Sequence, residues 1–486
     1  MTVFKPVPRV LIAAPKSGSG KTMISCGLMQ IMKEDGEKVH AFKCGPDYID
    51  PMFHRRVLGI PSENLDPFFA GPEQIRAQLC TGEEGSIALI EGVMGIYDGV
   101  GGTQLTGSAY HVAQITDSPI VLVMDVRGMG ATMLSLLKGI LGDDRDHRVR
   151  GVILNRITKN FYERMRPLIS QLGVEPLGFL PVMKGVGLES RHLGLKQPEE
   201  IESLNDQLHT IAEGLRENVQ LDALRRIMKE APEVEVPEKT SGPAAADALP
   251  MVLAVARDPA FTFYYEANLR AFRERGITIR EFSPLKDCGI PKEADGLLLG
   301  GGYPELYCPE LSGNRSMRES IREAILGGMP SLAECGGFMY LHESMTDPEG
   351  RKWPMAGVIP GGSSNTGKLC RFGYVELEKN RLPGSAVTDG SGNEVPEEPS
   401  RKERPDAALL REGEQIRGHE FHYYDSETNG TDCIAVKTGG NRRWECAFLG
   451  REHLWGFPHL YYPSAPFFLE RFIAQMKEYH FEKMTQ

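Results

Sequence analysis

Val10-Leu-Ile-Ala-Ala-Pro-Lys-Ser-Gly-Ser-Gly-Lys-Thr22 is the stretch that decides the fold class. Residues 10–14 form a short apolar run bounded by turn residues, the pattern of a strand buried on both faces of a parallel sheet. A loop of small residues follows, and residues 22–32 have helical character. Strand, Gly/Ser loop and helix in that order, closing on Gly20-Lys21-Thr22, form a phosphate-binding loop. Small residues let successive backbone N–H groups turn inward around a phosphate, and the helix start adds partial positive charge. The expected nucleotide contacts are Lys16, Ser17, Gly18, Ser19, Gly20, Lys21 and Thr22. Lys21 is expected on the β and γ phosphates of ATP, and the Thr22 hydroxyl on Mg2+. Pro15 stands where the standard loop has its first glycine.

Outward from this loop, strand-like runs recur at 38–42, 86–90, 120–124 and 151–154 with helix-like stretches between them. That alternation predicts a doubly wound parallel α/β sheet over a first domain, 1–230. Residues 231–250 mix prolines, small residues and charge, and read as a linker. A second α/β domain, 251–486, opens on the apolar run 251–256, with further strands expected at 296–299 and 329–332. The stretch 379–406 is rich in charge, Gly and Pro and reads as a surface loop or insertion.

Magnesium requires hard oxygen ligands near the phosphates. Asp47, after the second strand, and Glu91, after the third, should emerge at the carboxyl edge that carries the phosphate loop. Asp50 and Asp98 are weaker candidates in the same region.

Composition removes several function classes. Lys+Arg 55 against Asp+Glu 66 gives a net charge of -11, which argues against a nucleic-acid binder. No apolar run approaches the ~18 residues that span a bilayer, and the apolar segment near the N-terminus is too short for a signal peptide. Nine cysteines without a CxxC pair argue against a zinc or disulfide framework and for a reducing, cytoplasmic setting.

A second chemical centre stands in Pro330-Ser-Leu-Ala-Glu-Cys-Gly-Gly-Phe-Met-Tyr-Leu341. An apolar strand ends at Cys335, two glycines follow, and a helical run begins: the pattern of a nucleophile elbow. The helix start is expected to lower the thiol pKa. Glycines 300–302 end another strand, and Gly301, Gly302 and Gly336 are the expected oxyanion-hole donors. The partner base is to be found among His419, His422, His453 and His459.

Taken together, these segments resemble the cobyrinic acid a,c-diamide synthase family of glutamine-dependent amidotransferases. The resemblance rests on Ser19-Gly-Lys-Thr22, Phe42-Lys-Cys-Gly-Pro-Asp-Tyr-Ile-Asp-Pro51 with His54, Glu91-Gly-Val-Met-Gly-Ile-Tyr-Asp-Gly99, Glu189-Ser-Arg-His-Leu-Gly194, Gly300-Gly-Gly-Tyr-Pro-Glu305, Glu334-Cys-Gly-Gly337 and Gly418-His-Glu-Phe-His-Tyr423. It implies an N-terminal ATP-dependent synthetase of the dethiobiotin-synthetase type and a C-terminal class I glutamine amidotransferase-like domain. It also implies ATP and Mg2+, and L-glutamine and a tetrapyrrole polycarboxylate as small-molecule substrates. Asp47, Tyr48, Asp50, Asp98, Arg191 and His192 are then expected to line the substrate site, and a homodimer is compatible. Gly456-Phe-Pro-His-Leu-Tyr-Tyr-Pro463 matches the family's late His motif and picks His459 as the base. Ordinary class I glutaminases carry Glu two residues after this His, where Tyr461 stands here, so the standard third triad member is missing. His419 and His422 read as a structural strand pair. The nearest rival is nickel-sirohydrochlorin a,c-diamide synthase, with the same chemistry on another tetrapyrrole; cobyric acid synthase fits less well because its relatives usually lack the Gly-Pro-Asp-Tyr-Ile-Asp segment. From another class, a partitioning-type P-loop ATPase switch would leave Cys335 unused.

Overall fold

Continuous apolar strands have no polar face to offer water, so they belong in the middle of a layered sheet. That is where the computed structural model puts them. It describes residues 2–183, 204–237, 249–380 and 408–485, and the chain divides into two units, Met1–Gly242 and Pro243–Gln486.

The first unit is built on seven parallel strands. In chain order they follow a peripheral β1 (Thr2–Lys5) as β2 (Arg9–Ala13), β3 (Val39–Cys44), β4 (Ser62–Leu65), β5 (Ile87–Glu91), β6 (Ile120–Asp125), β7 (Val149–Asn155) and β8 (Glu175–Leu180). Across the sheet the order is β4-β3-β5-β2-β6-β7-β8. The chain winds outward from β2 in both directions, so β2 lies at the reversal point where open α/β sheets bind ligands. Helix α1 (Lys21–Glu34) buries Ile24, Leu28, Met29 and Ile31 against the sheet and against Leu208, Ile211 and Leu215 of helix Leu204–Asn218.

Two strands of this seven-stranded sheet escaped the sequence reading. In β4, Ser-Glu-Asn-Leu has no apolar signature, yet all four residues are buried. In β8, Pro176 and Gly178 disguise a buried run. Within the expected linker 231–250, Val234–Pro237 forms strand β9, antiparallel to β1. Val234 and Val236 alternate inward, and this period-2 burial gives the segment a sheet to join.

Arg9 opens β2 and is fully buried. Its guanidinium donates to the carbonyls of Thr116, Val7 and Asp117 at 2.9, 2.8 and 3.1 Å. Burial still pulls its pKa down to about 10.

The second unit joins an α/β sheet to antiparallel ones. β10 (Val252–Ala256), β11 (Thr278–Phe282), β12 (Gly296–Leu299), β13 (Ser331–Glu334) and strand His453–Gly456 run parallel in the order β11-β10-β12-β13-(453–456), and Phe448–Leu449 caps the edge antiparallel. A five-stranded antiparallel sheet holds Arg371–Lys379, Gln415–His422 and His459–Leu460 as neighbours. Lys379, the start of the expected loop, closes a strand; the rest of that stretch from 381 to 406 lies outside the described residues. Among the described residues no helix is long and apolar enough to cross a membrane, and all nine cysteines are free.

Replacing Arg9 with Met keeps the length of the side chain but strands three carbonyls. A buried acceptor left unmet costs roughly 1–3 kcal/mol, so Arg9→Met should lower the first thermal transition by several degrees in scanning calorimetry. An unchanged transition would make Arg9 dispensable to the sheet.

Candidate functional site

In the first unit the chemistry gathers where β2, β5 and β3 end side by side. Ile12 pairs with Glu91 and Lys43 pairs with Glu91 in register, so three strand ends meet at one edge. The loop from Lys16 to Gly20 turns through left-handed glycines, Gly18 at φ 76° and Gly20 at φ 95°. Asn155, at the end of β7, donates to the Ser19 carbonyl at 2.8 Å, and Ser19 Oγ donates to the Lys16 carbonyl at 2.9 Å. Lys16 and Ser17 stay exposed at the lip. Lys21 Nζ folds back over the loop and donates to the Met94 carbonyl at 2.6 Å. Burial, with the nearby charge of Lys43, pushes the Lys21 pKa down to about 8.

Glu91 is the hub of this site. It is fully buried, accepts from Thr22 Oγ1 at 2.5 Å and from Lys43 Nζ at 2.8 Å, and has His54 Nε2 3.6 Å from its other oxygen. Burial alone would raise its pKa, but the Lys43 charge and the polar contacts of His54 and Lys43 outweigh it and hold the carboxyl well below the usual range. Lys43 also pairs with Asp50 at 2.5 Å. Asp50 is driven up by burial and by its acidic neighbours Glu91 and Asp47, against the pull of Lys43.

The other predicted acids are partly committed to local structure. Asp47 Oδ1 accepts from the Ile49 N–H at 2.8 Å at the start of helix α2 (Ile49–Arg56), and Asp98 Oδ2 accepts from the Gly95 N–H at 2.9 Å. Asn64 on β4 fixes the Asp47 loop by donating to the carbonyls of Gly45 and Asp47 at 2.8 and 2.7 Å. Tyr48 lies in the same loop, immediately before α2. Hard oxygens of Thr22 and Glu91, facing each other beside the phosphate loop, are a donor set that fits magnesium. Arg191 and His192 lie outside the described residues. Lys43, Asn64 and Asn155 were not singled out from sequence. Lys43 stands inside a quoted motif, and a lysine at the end of an apolar strand is the signal that would have flagged it.

In the second unit β13 ends at Glu334, and the next residue, Cys335, is forced to φ 48°, ψ −105° before helix Gly336–Leu341 begins. This is the strained turn expected of a nucleophile elbow. Its tightness requires glycine behind it: a Cβ on Gly337 would strike the Leu299 carbonyl at the end of β12. Gly336 packs so that a Cβ there would sit 3.1 Å from the Gly302 nitrogen. The expected oxyanion glycines and the thiol therefore share one spot.

His459 arrives there by topology. Strand His453–Gly456 is the parallel neighbour of β13, with Glu334 opposite Gly456, so it ends at the same edge. Three residues later His459 enters the antiparallel sheet opposite His419. A Cβ on Gly301 would land on the His459 ring. Burial, aided by repulsion from His419 and His422, pushes the His459 pKa down to about 3, leaving a neutral imidazole. Its Nδ1 lies 3.9 Å from Glu334 Oε2.

The thiol itself departs from expectation. The start of a six-residue helix does not prevail: burial first, then the charge of Glu305, raises the Cys335 pKa, and the Gly336 N–H only partly opposes them. The thiol therefore rests protonated. The other histidines are placed structurally. His422 Nδ1 is 2.6 Å from the Tyr424 carbonyl and its ring stacks on Phe457 at 4.1 Å. His453 stacks on Trp455 at 4.1 Å, and His419 lies edge-on to Phe372 and Tyr374.

Comparison with known proteins agrees with this division. Residues 10–195 match the family described as CobQ/CobB/MinD/ParA nucleotide binding domain. Residues 252–456 match the CobB/CobQ-like glutamine amidotransferase domain. A cobyrinate a,c-diamide synthase of Caldanaerobacter subterraneus subsp. tengcongensis is 35% identical over 93% of this chain and 94% of its own. Those of Listeria innocua and Clostridium tetani are each 34% identical, over 94% and 93% of this chain and 97% and 96% of theirs.

Gly301→Ala tests the packing around His459. The added methyl must displace the His459 ring, and misplacements of this order cost ~10²-fold in rate. Glutamine hydrolysis should fall by that factor while nucleotide binding, measured by calorimetry, is unchanged. Full hydrolysis would mean that His459 is not held as described.

Proposed function

Because the chain belongs to the cobyrinate a,c-diamide synthase family, we propose that it amidates the a- and c-acetate carboxylates of cobyrinic acid, with ATP activating each carboxylate and L-glutamine supplying nitrogen. In coarser terms it is a glutamine-dependent amidating ligase of cobalamin biosynthesis with a nucleotide-binding half. The observation that carries the finer reading is the grouping of Cys335, His459, Gly301 and Gly302 at one strained turn, in a chain that also has Lys21, Thr22 and Glu91 at a phosphate loop.

A carboxylate resists amines because it is a poor electrophile, so its oxygen must first become a leaving group. Lys21, released from the Met94 carbonyl, meets the phosphoryl group in transfer and offsets its developing charge. Thr22 and Glu91 would hold magnesium, which supplies further charge neutralisation at the phosphates. Lys43, poised between Glu91 and Asp50, keeps both buried acids oriented beside the loop. The acyl phosphate of the acetate side chain is the resulting electrophile.

In the other unit His459, neutral and buried, takes the proton of Cys335 as its sulfur attacks the side-chain amide of glutamine. Backbone N–H groups around Gly301, Gly302 and Gly336 meet the oxyanion. Collapse of the intermediate returns the proton to the leaving nitrogen as ammonia, and water cleaves the thioester to glutamate. Ammonia displaces phosphate from the activated carboxylate and leaves the amide; a second round completes the diamide.

Two experiments check this reading. Cys335→Ser should lose glutamine-dependent synthesis yet make diamide from ammonium salts at raised pH, whereas Lys21→Ala should lose synthesis from both nitrogen sources by ~10²-fold or more. Glutamine-dependent synthesis by Cys335→Ser at the normal rate would remove the nucleophile. Substrate choice is read by mass spectrometry of products from cobyrinic acid and nickel-sirohydrochlorin, each offered with ATP and glutamine. The diamide is expected from cobyrinic acid; amidation of nickel-sirohydrochlorin alone would move the chain to the other tetrapyrrole.

A further inference from the structure

The base of a Cys–His pair works only if its ring is held in one tautomer and one orientation, which is the task of a third group. The position two residues after His459 is occupied by Tyr461. Its ring lies edge-on to Tyr265 at 5.8 Å, and its backbone N–H donates to the Arg417 carbonyl at 2.8 Å. An acid does approach the ring from elsewhere in the fold. Glu334, the last residue of β13 and the one before the nucleophile, brings Oε2 to 3.9 Å from His459 Nδ1. Glu334 still has strand geometry whereas Cys335 is already in the turn at φ 48°, so neighbouring residues at one strand end carry the acid and the thiol.

The Glu334 carboxyl is itself held. Tyr462 donates its hydroxyl to Oε1 at 2.7 Å, and that bond is buried. The segment that follows His459 is tied twice by Asn268 on helix Glu266–Arg273. Asn268 Nδ2 donates to the Leu460 carbonyl at 2.8 Å, and the Tyr462 N–H donates to Asn268 Oδ1 at 2.8 Å. Acid, base and nucleophile thus hang from two adjacent strand ends and one asparagine clamp.

We propose that Glu334 is the positioning residue for His459, taking the place of the acid missing at 461. The inference rests on the reading of Cys335 and His459 as nucleophile and base. Burial raises the Glu334 pKa to about 8, against the hydrogen bonds from the Tyr462 hydroxyl and the Leu460 N–H. Oε2 faces Nδ1, and in its ionised form the carboxylate favours the tautomer that carries its proton there. Nε2 is then left as the atom that accepts from the thiol. Catalytic hydrogen bonds of this kind tighten as substrate docks, and closure of the 3.9 Å gap strengthens the base as the imidazolium forms. Glu334 touches no reacting atom in this scheme and acts through the ring.

Glu334→Gln separates this role from a structural one. The amide has the same shape and can still accept from Tyr462, but it presents an NH2 to Nδ1 and so favours the wrong tautomer. The expected result is a fall of ~10²-fold or more in kcat for glutamine hydrolysis, with KM for glutamine within about threefold. Ammonia-dependent synthesis and the thermal transition should be retained. Tyr462→Phe should shift glutaminase kcat in the same direction by a smaller factor. Cys335→Ser is assayed alongside. If Cys335→Ser is inactive with glutamine while Glu334→Gln keeps its kcat, the positioning role is overturned and the nucleophile reading stands. If Cys335→Ser hydrolyses glutamine normally, the underlying reading fails. If Glu334→Gln loses glutamine- and ammonia-dependent synthesis equally, or unfolds while Tyr462→Phe has unchanged kcat, Glu334 is a packing residue and the proposal is wrong.

Discussion

A parallel sheet releases every strand's C-terminal loop at the same edge, and both halves of this chain depend on that constraint. In the first unit it places the phosphate loop after β2, Glu91 at the end of β5 and Lys43 at the end of β3, so that Glu91 touches both Thr22, 69 positions away in sequence, and Lys43, 48 positions away. In the second unit it places Cys335 after β13 and the start of the His459 segment after strand His453–Gly456. Neither site has a helix or strand dedicated to it. Each is a by-product of strand polarity, with side chains chosen to use the edge.

The two sites handle buried charge in opposite ways. Around Glu91 a lysine, a histidine and a threonine hydroxyl repay the cost of removing a carboxylate from water, and the acid stays ionised. Around Cys335 the Gly336 N–H only partly offsets burial: the thiol pKa rises and that of His459 falls, so both groups rest neutral. A neutral pair costs little to bury and gains charge only when a substrate supplies an oxyanion to stabilise.

Much of this was legible in the sequence. The apolar strands, the phosphate loop and the Cys-Gly-Gly elbow have local signatures that survive translation into structure, since each depends on neighbours in the chain. What was hidden depends on partners far away. β4 reads as polar because its Asn64 is satisfied by the carbonyls of Gly45 and Asp47. Lys43 and Glu334 look like ordinary flanking residues until pairing brings Glu91 and His459 to them. The expected low pKa of the thiol failed for the same reason: a local rule about helix starts was outweighed by burial, which no short motif reports.

The central claim is that a carboxylate oxygen leaves as phosphate when the amide forms. Cobyrinic acid carrying 18O in its carboxylates, turned over with ATP and glutamine, tests this directly by mass spectrometry of the inorganic phosphate released. Transfer of one labelled oxygen to phosphate for each amide made is the predicted result. Unlabelled phosphate accompanying amide formation would contradict activation through an acyl phosphate, and with it the account of what the two units do for each other.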